Sequence, residues 1–167
     1  MRYLLAVTAT LGMAACTTAA PPGEPGDPPA LAIERERPLA ALAEHLLADY
    51  FSSDIVAPPT LCVATSEGEG GYEALPVDDE VALIERFEQL APLTRCTWTG
   101  TAWQDSESGE PAMVFDIHSF ACASETRCSG WAGYTAGSSR GEYAEYTLDW
   151  SGGTWTFERD ERRMLSQ

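Results

Sequence analysis

Lysine and asparagine are both absent from this chain of 167 residues. Without asparagine there is no acceptor for N-linked glycosylation. Arginine therefore supplies all ten basic residues, against 26 acidic residues, and the formal net charge at pH 7 is −16. A chain this anionic repels the phosphates of nucleic acids and of anionic membrane surfaces. The composition argues against nucleic acid as a partner.

Cysteine and histidine are scarce, with five and two copies respectively. No two cysteines have the C-x-x-C spacing that is typical of structural zinc sites. The sequence also contains no glycine-rich phosphate loop and no cluster of metal-ligating residues. We therefore expect the protein to carry neither a metal nor a cofactor.

The first 16 residues, MRYLLAVTATLGMAAC, form a segment of their own. Arg2 supplies a positive charge, and the apolar run that follows is too short to span a bilayer as a permanent helix. The small residues Ala14 and Ala15 precede Cys16. This order is typical of a secretory signal peptide, which is removed from the mature protein.

The same segment resembles the lipobox signal peptides of bacterial lipoproteins, in which small residues precede the lipidated cysteine. The resemblance covers residues 1–16 only. It implies that Cys16 carries a diacylglycerol thioether with acyl chains such as palmitate, becomes the new N-terminus and anchors the protein to a membrane of the cell envelope. Thr17 stands where inner-membrane retention often uses Asp, which favours the outer membrane, facing the periplasm. The alternative is an ordinary signal peptide cut elsewhere, with Cys16 discarded.

Residues 17–30, TTAAPPGEPGDPPA, contain five prolines and two glycines and almost nothing to bury. This composition predicts an extended, semi-rigid tether. The chain then divides into a signal peptide (1–15), the lipidated cysteine with its tether (16–37), one domain (38–163) and a short tail (164–167). The third part is long enough to bury a single core.

Four cysteines follow the signal segment: Cys62, Cys96, Cys122 and Cys128. An even number in an exported chain predicts two disulfides, and three pairings are possible. We favour Cys62 with Cys96 and Cys122 with Cys128. A four-cysteine zinc site is the alternative.

Apolar residues recur at helical spacing in two segments. In residues 38–51 they follow Pro38, which suits a first helical turn. In residues 79–91 they follow Asp78 or Asp79, either of which can cap a helix. The pattern predicts one helix in each segment.

Short β-branched segments at 60–65 and 94–100 predict two strands, and the helix between them suggests that they pair in parallel. Later segments alternate with period two, at 112–122, 128–137, 141–150 and 154–160. Their short connections predict antiparallel hairpins. We expect an α+β fold, with an antiparallel sheet of about four to six strands and two helices packed on one face.

Asp116 and His118 lie two residues apart on one predicted strand and form the candidate site. If Cys122 faces Cys128, the register puts Asp116 opposite Tyr134, and both Asp116 and His118 share the face of the cysteines. A histidine oriented by a carboxylate, with Tyr134 alongside, is able to perform general acid–base catalysis. The alternative is a structural polar network around a buried histidine.

The same register leaves three apolar side chains of this strand on the wrong face: Met113, Phe115 and Ile117. A β-bulge near Ser119 resolves the conflict, and so does partial cover of both faces of the sheet.

Several other features have simple structural explanations. GSSRG at 137–141 matches a hydrolase elbow around Ser139, but a strand pattern follows where a helix is required, which predicts a hairpin turn. DSESGE at 105–110 lacks the ligands of a calcium loop and reads as a turn. Trp98 and Trp103 flank a tight turn and are candidates for exposure. His45 is expected on the surface of the first helix or at the boundary between its buried and exposed faces.

Three functions fit these observations, and the sequence identifies neither a ligand nor a partner. The leading hypothesis is a lipid-anchored envelope protein that acts as a non-catalytic binding or accessory module. The second is an envelope hydrolase that uses His118 and Asp116. The sequence therefore leaves open whether the protein is an enzyme. The third is a structural spacer.

Lipidation of Cys16 can be tested on protein taken from its native membrane. We expect the intact mass of a chain that begins at Cys16 and carries acyl groups. Because the lipid is attached through the thiol, the Cys16→Ala variant should lack the acyl mass and leave the membrane fraction. Intact-mass spectrometry measures both forms, and a chain that retains residues 1–15 would contradict the lipoprotein interpretation.

Overall fold

The computed structural model of the protein describes residues 30–53, 57–67, 71–137 and 140–166. The predicted signal peptide, Cys16 and the predicted tether up to residue 29 lie outside the described residues, and so does Ser139. Within the described residues, no helix combines the length and the apolar composition needed to cross a membrane.

The described segments form an α+β fold, as predicted. The helices are α1 (Pro38–Ser52) and α2 (Val77–Arg86), and two 3₁₀ turns cover Leu31–Ile33 and Leu93–Arg95. The strands are β1 (Thr60–Ser66), β2 (Tyr72–Ala74), β3 (Cys96–Trp98), β4 (Trp103–Asp105), β5 (Ala112–Ser124), β6 (Arg127–Gly137), β7 (Arg140–Ser151) and β8 (Thr154–Ser166).

Six strands form one sheet in the order β2-β1-β5-β6-β7-β8. Strands β5 to β8 follow one another as antiparallel hairpins, as their short connections predict. Strands β6 and β7 pair antiparallel, so a strand and not a helix begins at Arg140 within the GSSRG motif, whose residues 138 and 139 lie outside the described residues. Strand β1 runs parallel to β5, from Thr60 opposite Ala112 to Ser66 opposite His118.

The predicted parallel pairing of strand 60–65 with strand 94–100 is wrong. Strand β3 has only three residues and pairs antiparallel with β4, so the two form a separate small sheet. Strand β5 is the better partner for β1 because it is long and all of its residues from Ala112 to Ile117 are buried. A strand buried on both faces is the usual setting for parallel pairing.

Helix α1 packs on one face of the six-stranded sheet, which we call the helix side. Its Leu42 and Leu47 are fully buried, in one core with Phe115, Ile117 and Leu148 of the sheet. Removal of these side chains from water is the main driving force that holds the helix on the sheet.

Helix α2 lies beside α1 and contributes Leu83 to the same core. It starts earlier and ends earlier than the predicted 79–91, and the aspartates expected at its cap lie in its first turn. After Arg86 the chain becomes extended, and Phe87 stacks on Phe51 of α1 with ring centroids 5.6 Å apart. Packing against α1 therefore outweighs the helical pattern of the last predicted turn.

A β-bulge in β5 determines which side chains face the helices. The register against β6 shifts between His118 and Ala121, and Ser119 between them has a φ of 53°. The apolar residues before the bulge lie in the helix-side core: Met113, Phe115 and Ile117. Asp116 and His118 consequently face the opposite side of the sheet, which we call the outer face.

The predicted register before the bulge is therefore wrong by one residue. Asp116 lies opposite Gly133 and His118 opposite Trp131, whereas the predicted partners are each one residue further along β6. A slip of one residue moves a side chain to the other face of a sheet. As a result, the pair does not share a face with the core around Leu148.

Both predicted disulfides are present. Cys122 and Cys128 lie opposite each other on β5 and β6, and their sulfur atoms are 2.03 Å apart. Cys62 and Cys96 are joined with an S–S distance of 2.02 Å and connect β1 of the large sheet to β3 of the small sheet. The alternative of a four-cysteine zinc site is wrong, because all four sulfur atoms are used in S–S bonds.

The small sheet covers part of the outer face, so both faces of β1 and β5 are packed. Its Cys96 and Trp103 form a second apolar cluster with Cys62, Ala64 and Val114. The fold thus has three layers, in the order helices, large sheet and small sheet.

Packing begins before Pro38, the first residue of the predicted domain. Leu31 is 2 % exposed and belongs to the main core. The indole N–H of Trp155 donates to the carbonyl oxygen of Glu34 at 3.2 Å. At the other end, β8 continues to Ser166, through the segment assigned to the tail.

Gly133→Ala should strongly destabilise the protein, because β6 and β7 approach closely there. A Cβ at this position would lie 1.9 Å from the carbonyl oxygen of Glu142, so the ladder would have to open. We expect the free energy of unfolding, measured with urea, to fall by about 3 kcal/mol. Gly71→Ala is the matched control, since a Cβ at that position meets nothing within 4 Å. Equal stability of the two variants would contradict the close approach.

Candidate functional site

A cavity of about 280 Å³ opens between the small sheet and the outer face of the large sheet. We call it the aromatic cavity, because four of its lining residues are aromatic. The lining residues are Tyr72, Trp98, Trp103, Thr135, Gly137, Gly141 and Tyr143.

Three of the aromatic walls stand at steep angles to one another. Trp98 and Trp103 lie opposite each other on β3 and β4, with ring centroids 5.4 Å apart and planes inclined by 59°. Tyr72 on the edge strand β2 meets Trp103 almost perpendicularly, at 5.0 Å and 84°. Trp103 is buried, whereas Trp98 is 42 % exposed and Tyr72 is 41 % exposed. The cavity therefore has one sealed wall and two walls open to solvent.

Strands β6 and β7 provide the floor of the cavity. Gly137 and Gly141 present only backbone there, and a Cβ on Gly141 would lie 3.1 Å from the ring of Tyr143. The hydroxyl of Thr135 donates to the carbonyl oxygen of Gly137 at 3.2 Å. Glycine at these positions leaves the space above β6 and β7 free for a ligand.

The small sheet is fixed in place by the buried carboxylate of Asp105, which is 1 % exposed. The guanidinium of Arg95 donates to it through Nε at 3.1 Å and through a second, shorter contact from Nη2. Thr60 on β1 donates its hydroxyl to the same carboxylate at 2.9 Å, and the amide of Glu107 donates at 3.0 Å. The bond to Arg95, followed by the amide of Glu107, holds the pKa of Asp105 well below its usual range.

Asp116 is the second buried carboxylate of the outer face, and it is 4 % exposed. Ser66 on β1 donates its hydroxyl to Oδ2 at 3.0 Å, and the hydroxyl of Tyr143 acts on the same carboxylate as a second hydrogen-bond donor. Burial raises the pKa of Asp116. Burial, followed by the nearby charge of Asp116, also raises the pKa values of Tyr72 and Tyr143. Asp116 thus lies close to two walls of the aromatic cavity.

His118 lies beside this group and is half-buried. Its ring is parallel to that of Trp131, with centroids 6.2 Å apart, and it is 5.6 Å from the ring of Tyr143. Its Nδ1 is 3.4 Å from the hydroxyl of Ser119, the residue at the bulge. His118 is absent from the lining of the aromatic cavity.

The structure keeps Asp116 and His118 on one face, as predicted, but separates them from Tyr134. The ring of Tyr134 is on the helix side, opposite Phe115 in register and 5.9 Å from its ring. The predicted grouping of Tyr134 with the pair is wrong because the bulge moves the pair to the outer face. Tyr143 of β7 takes the place that was predicted for Tyr134.

The chemistry available to this group is recognition by ring faces and hydroxyls. The hydroxyl of Ser66 bonds to Asp116 rather than to His118, so these three residues do not form the serine–histidine–carboxylate order of a hydrolytic triad. Over the described part of the chain, no group of three or more His, Cys, Asp or Glu side chains is placed to hold a metal ion.

A second cavity of about 510 Å³ lies on the helix side, between α1, α2 and β8. Two of its charged groups form an ion pair, in which Nε of Arg86 is 2.5 Å from Oε1 of Glu44. His45 is half-buried, as expected at the boundary between the buried and exposed faces of α1, and its ring stacks on that of Phe157 with centroids 4.3 Å apart. Burial lowers the pKa of His45 and keeps it neutral. This arrangement is typical of a packed helix–sheet junction.

The expected exposure of Trp98 is confirmed, whereas that of Trp103 is wrong because its ring is buried. Sequence reasoning missed Tyr72, Tyr143 and Ser66. Tyr72 follows a glycine-rich stretch that predicts a loop, and Tyr143 alternates like any strand residue. The available signal was the pair of glycines Gly137 and Gly141 at the ends of neighbouring strands, which leaves space beside aromatic residues.

Comparison of the chain with protein-family models, with curated proteins and with solved structures found no match. The geometry of the outer face is therefore the evidence from which a function can be inferred.

The two buried aspartates of the outer face, Asp105 and Asp116, should respond to amidation with opposite signs. The pKa of Asp116 is higher in the folded protein than its usual value of about 3.8. The free energy of unfolding therefore falls as the pH rises from about 3.8 through the folded pKa. Asp116→Asn should therefore raise the Tm at pH 7, and this gain should vanish near pH 3. The pKa of Asp105 is lowered, so its stabilisation is present above about 3.8 and is lost in stronger acid. Asp105→Asn should therefore lower the Tm at pH 7.

Thermal melts at pH 7 and pH 3 measure both effects. A fall in Tm for Asp116→Asn at pH 7 would show that the ionised carboxylate is satisfied within the fold. That result would remove the reason to regard Asp116 as a group that awaits a ligand.

Proposed function

We propose that this protein is a lipid-anchored module of the bacterial cell envelope that binds a small ligand in the aromatic cavity. The observation that carries this proposal is the cavity itself, in which aromatic residues from β2, β3, β4 and β7 converge. Concave sites lined by aromatic side chains, with a few hydroxyl groups at fixed positions, are typical binding sites for small molecules.

The exposure of Trp98 and Tyr72 supports this interpretation. Each leaves about two-fifths of its side chain open to solvent, although both are large and partly apolar. Burial of such a ring by a ligand contributes about 1.5 to 3 kcal/mol when the burial is complete. The exposed parts of these rings can therefore contribute binding energy when a ligand covers them.

The arrangement of the polar groups supports binding rather than hydrolysis. Asp116 engages Ser66, and Nδ1 of His118 contacts the hydroxyl of its neighbour Ser119. A hydrolytic triad requires the base between the nucleophile and the carboxylate. Across the described segments, the contacts of these residues do not follow that order.

The proposed anchor fits this role. Residues 17–29 separate Cys16 from Ala30, the first described residue, and a proline-rich chain of this length extends about 40 Å. A tether of that reach holds a binding domain clear of the membrane. Thr17 after the cysteine favours the outer membrane, so that the cavity samples the periplasm.

The binding role can be tested by titrating the full chain with Cys16→Ala, which removes only the lipid attachment. The probes are choline, methyl β-glucoside and indole, which represent a cation, a sugar and a neutral aromatic ring. Indole N–H signals in a ¹⁵N-labelled sample report on each tryptophan. We expect at least one probe to shift the signals of Trp98 and Trp103 saturably, while the signal of Trp155 in the helix-side core stays constant.

Two variants serve as controls for this titration. Trp98→Ala should abolish the response at Trp103, because it removes an exposed wall of the cavity. Trp131→Ala should retain it, since Trp131 lies on the same face but outside the lining. If none of the three probes gives a saturable shift up to about 10 mM, which corresponds to less than about 3 kcal/mol of binding, the proposed binding function is wrong.

A further inference from the structure

We propose that the ligand of the aromatic cavity is a small, soluble quaternary ammonium compound, whose methylated cationic group lies against the rings of Tyr72, Trp98 and Trp103. This inference rests on the proposed binding function of the same cavity and names the class of its ligand. The arrangement of the rings, the character of the polar lining and the environment of Asp116 each point to a cation.

The angles between the rings favour a group that is apolar on all sides. Trp103 is inclined by 59° to Trp98 and by 84° to Tyr72, so the rings form walls around a space rather than one flat platform. A sugar or a planar aromatic ligand stacks best on parallel or isolated ring faces. A methylated ammonium group touches several walls at once, and its charge is attracted to each ring face.

The polar groups of the lining do not suit an anion. The described lining residues include no arginine or histidine, and their polar side-chain groups are the hydroxyls of Thr135, Tyr72 and Tyr143 and the indole N–H groups of the two tryptophans. The raised pKa values of both tyrosines keep them as neutral phenols. An anionic ligand would therefore find no opposite charge in this lining, and it would meet Asp116 nearby.

Asp116 is the group that a bound cation would complement. It is 4 % exposed, and its hydrogen-bond partners are the neutral hydroxyls of Ser66 and Tyr143. Its charge acts on both Tyr72 and Tyr143, which line the cavity. Coulomb attraction between a cation in the cavity and this carboxylate is strengthened by the low dielectric of the interior. The net charge of −16 adds long-range attraction for cations.

The deciding experiment compares choline with 3,3-dimethylbutan-1-ol, which has the same shape but carries no charge. Both are titrated at pH 8 into the full chain with Cys16→Ala, with the indole N–H signals of Trp98 and Trp103 as the readout. We expect choline to bind at least about tenfold more tightly than its uncharged analogue, because only choline gains the cation–π attraction and the attraction to Asp116.

Asp116→Asn supplies the second test, and Glu85→Gln is its matched control. Both remove one negative charge, but Glu85 lies on the helix side, at the other cavity. Asp116→Asn should weaken choline several-fold and leave the uncharged analogue unchanged, whereas Glu85→Gln should change neither affinity. An equal effect of both substitutions on choline would reduce the role of Asp116 to net charge alone and would overturn the proposed complement.

The remaining outcomes separate this inference from the proposed function. If the uncharged analogue, methyl β-glucoside or indole binds as tightly as choline, the cavity is a binding site but the quaternary ammonium assignment is wrong. If none of the probes binds, both proposals are wrong. Sedimentation of the same chain with phosphatidylcholine vesicles but not with phosphatidylglycerol vesicles, without any response to free choline, would assign a lipid headgroup and overturn a soluble ligand.

Discussion

The carboxylate of Asp105 joins three parts of the chain that would otherwise be independent. It accepts hydrogen bonds from Arg95 before β3, from Thr60 at the start of β1 and from the turn after β4. Together with the Cys62–Cys96 disulfide, it fixes the small sheet over the outer face. Trp98 and Trp103 belong to that small sheet, so the aromatic cavity exists only while this attachment holds. A charge-assisted network in a buried position is directional as well as stabilising, which suits it to placing one layer on another.

The two buried aspartates of the outer face have different surroundings. Every contact of Asp105 lowers its pKa or satisfies its oxygens, and the result is a rigid junction. Asp116 accepts from the neutral hydroxyls of Ser66 and Tyr143, and its burial raises its pKa. Under the proposed function, the cost of this buried carboxylate is offset when a ligand binds. The same residue type would then serve stability in one place and recognition in another, according to what surrounds it.

Local patterns in the sequence predict α1, the strands β5 to β8 and the Cys122–Cys128 disulfide, because each depends on spacing within a short segment. The partner of β1 was not predictable from such patterns, since β5 is distant in the chain and only its burial on both faces marks it. The predicted face of the candidate site was wrong for a similar reason, at the scale of one residue. Alternation alone fixes Asp116 and His118 on one face, but the extra residue at Ser119 decides which face that is.

The parallel pairing of β1 with β5 has a consequence for how the chain folds. Hairpins β5 to β8 form between neighbours in sequence, whereas β1 must wait for a partner that lies beyond α2 and the whole small sheet. Closing a long loop delays such contacts, and folding rates fall as contacts become less local. We therefore expect the C-terminal meander to form first and the N-terminal half to join it last. Until that step, β5 presents an unpaired apolar edge, so the interval before β1 arrives is when the chain is most prone to aggregate.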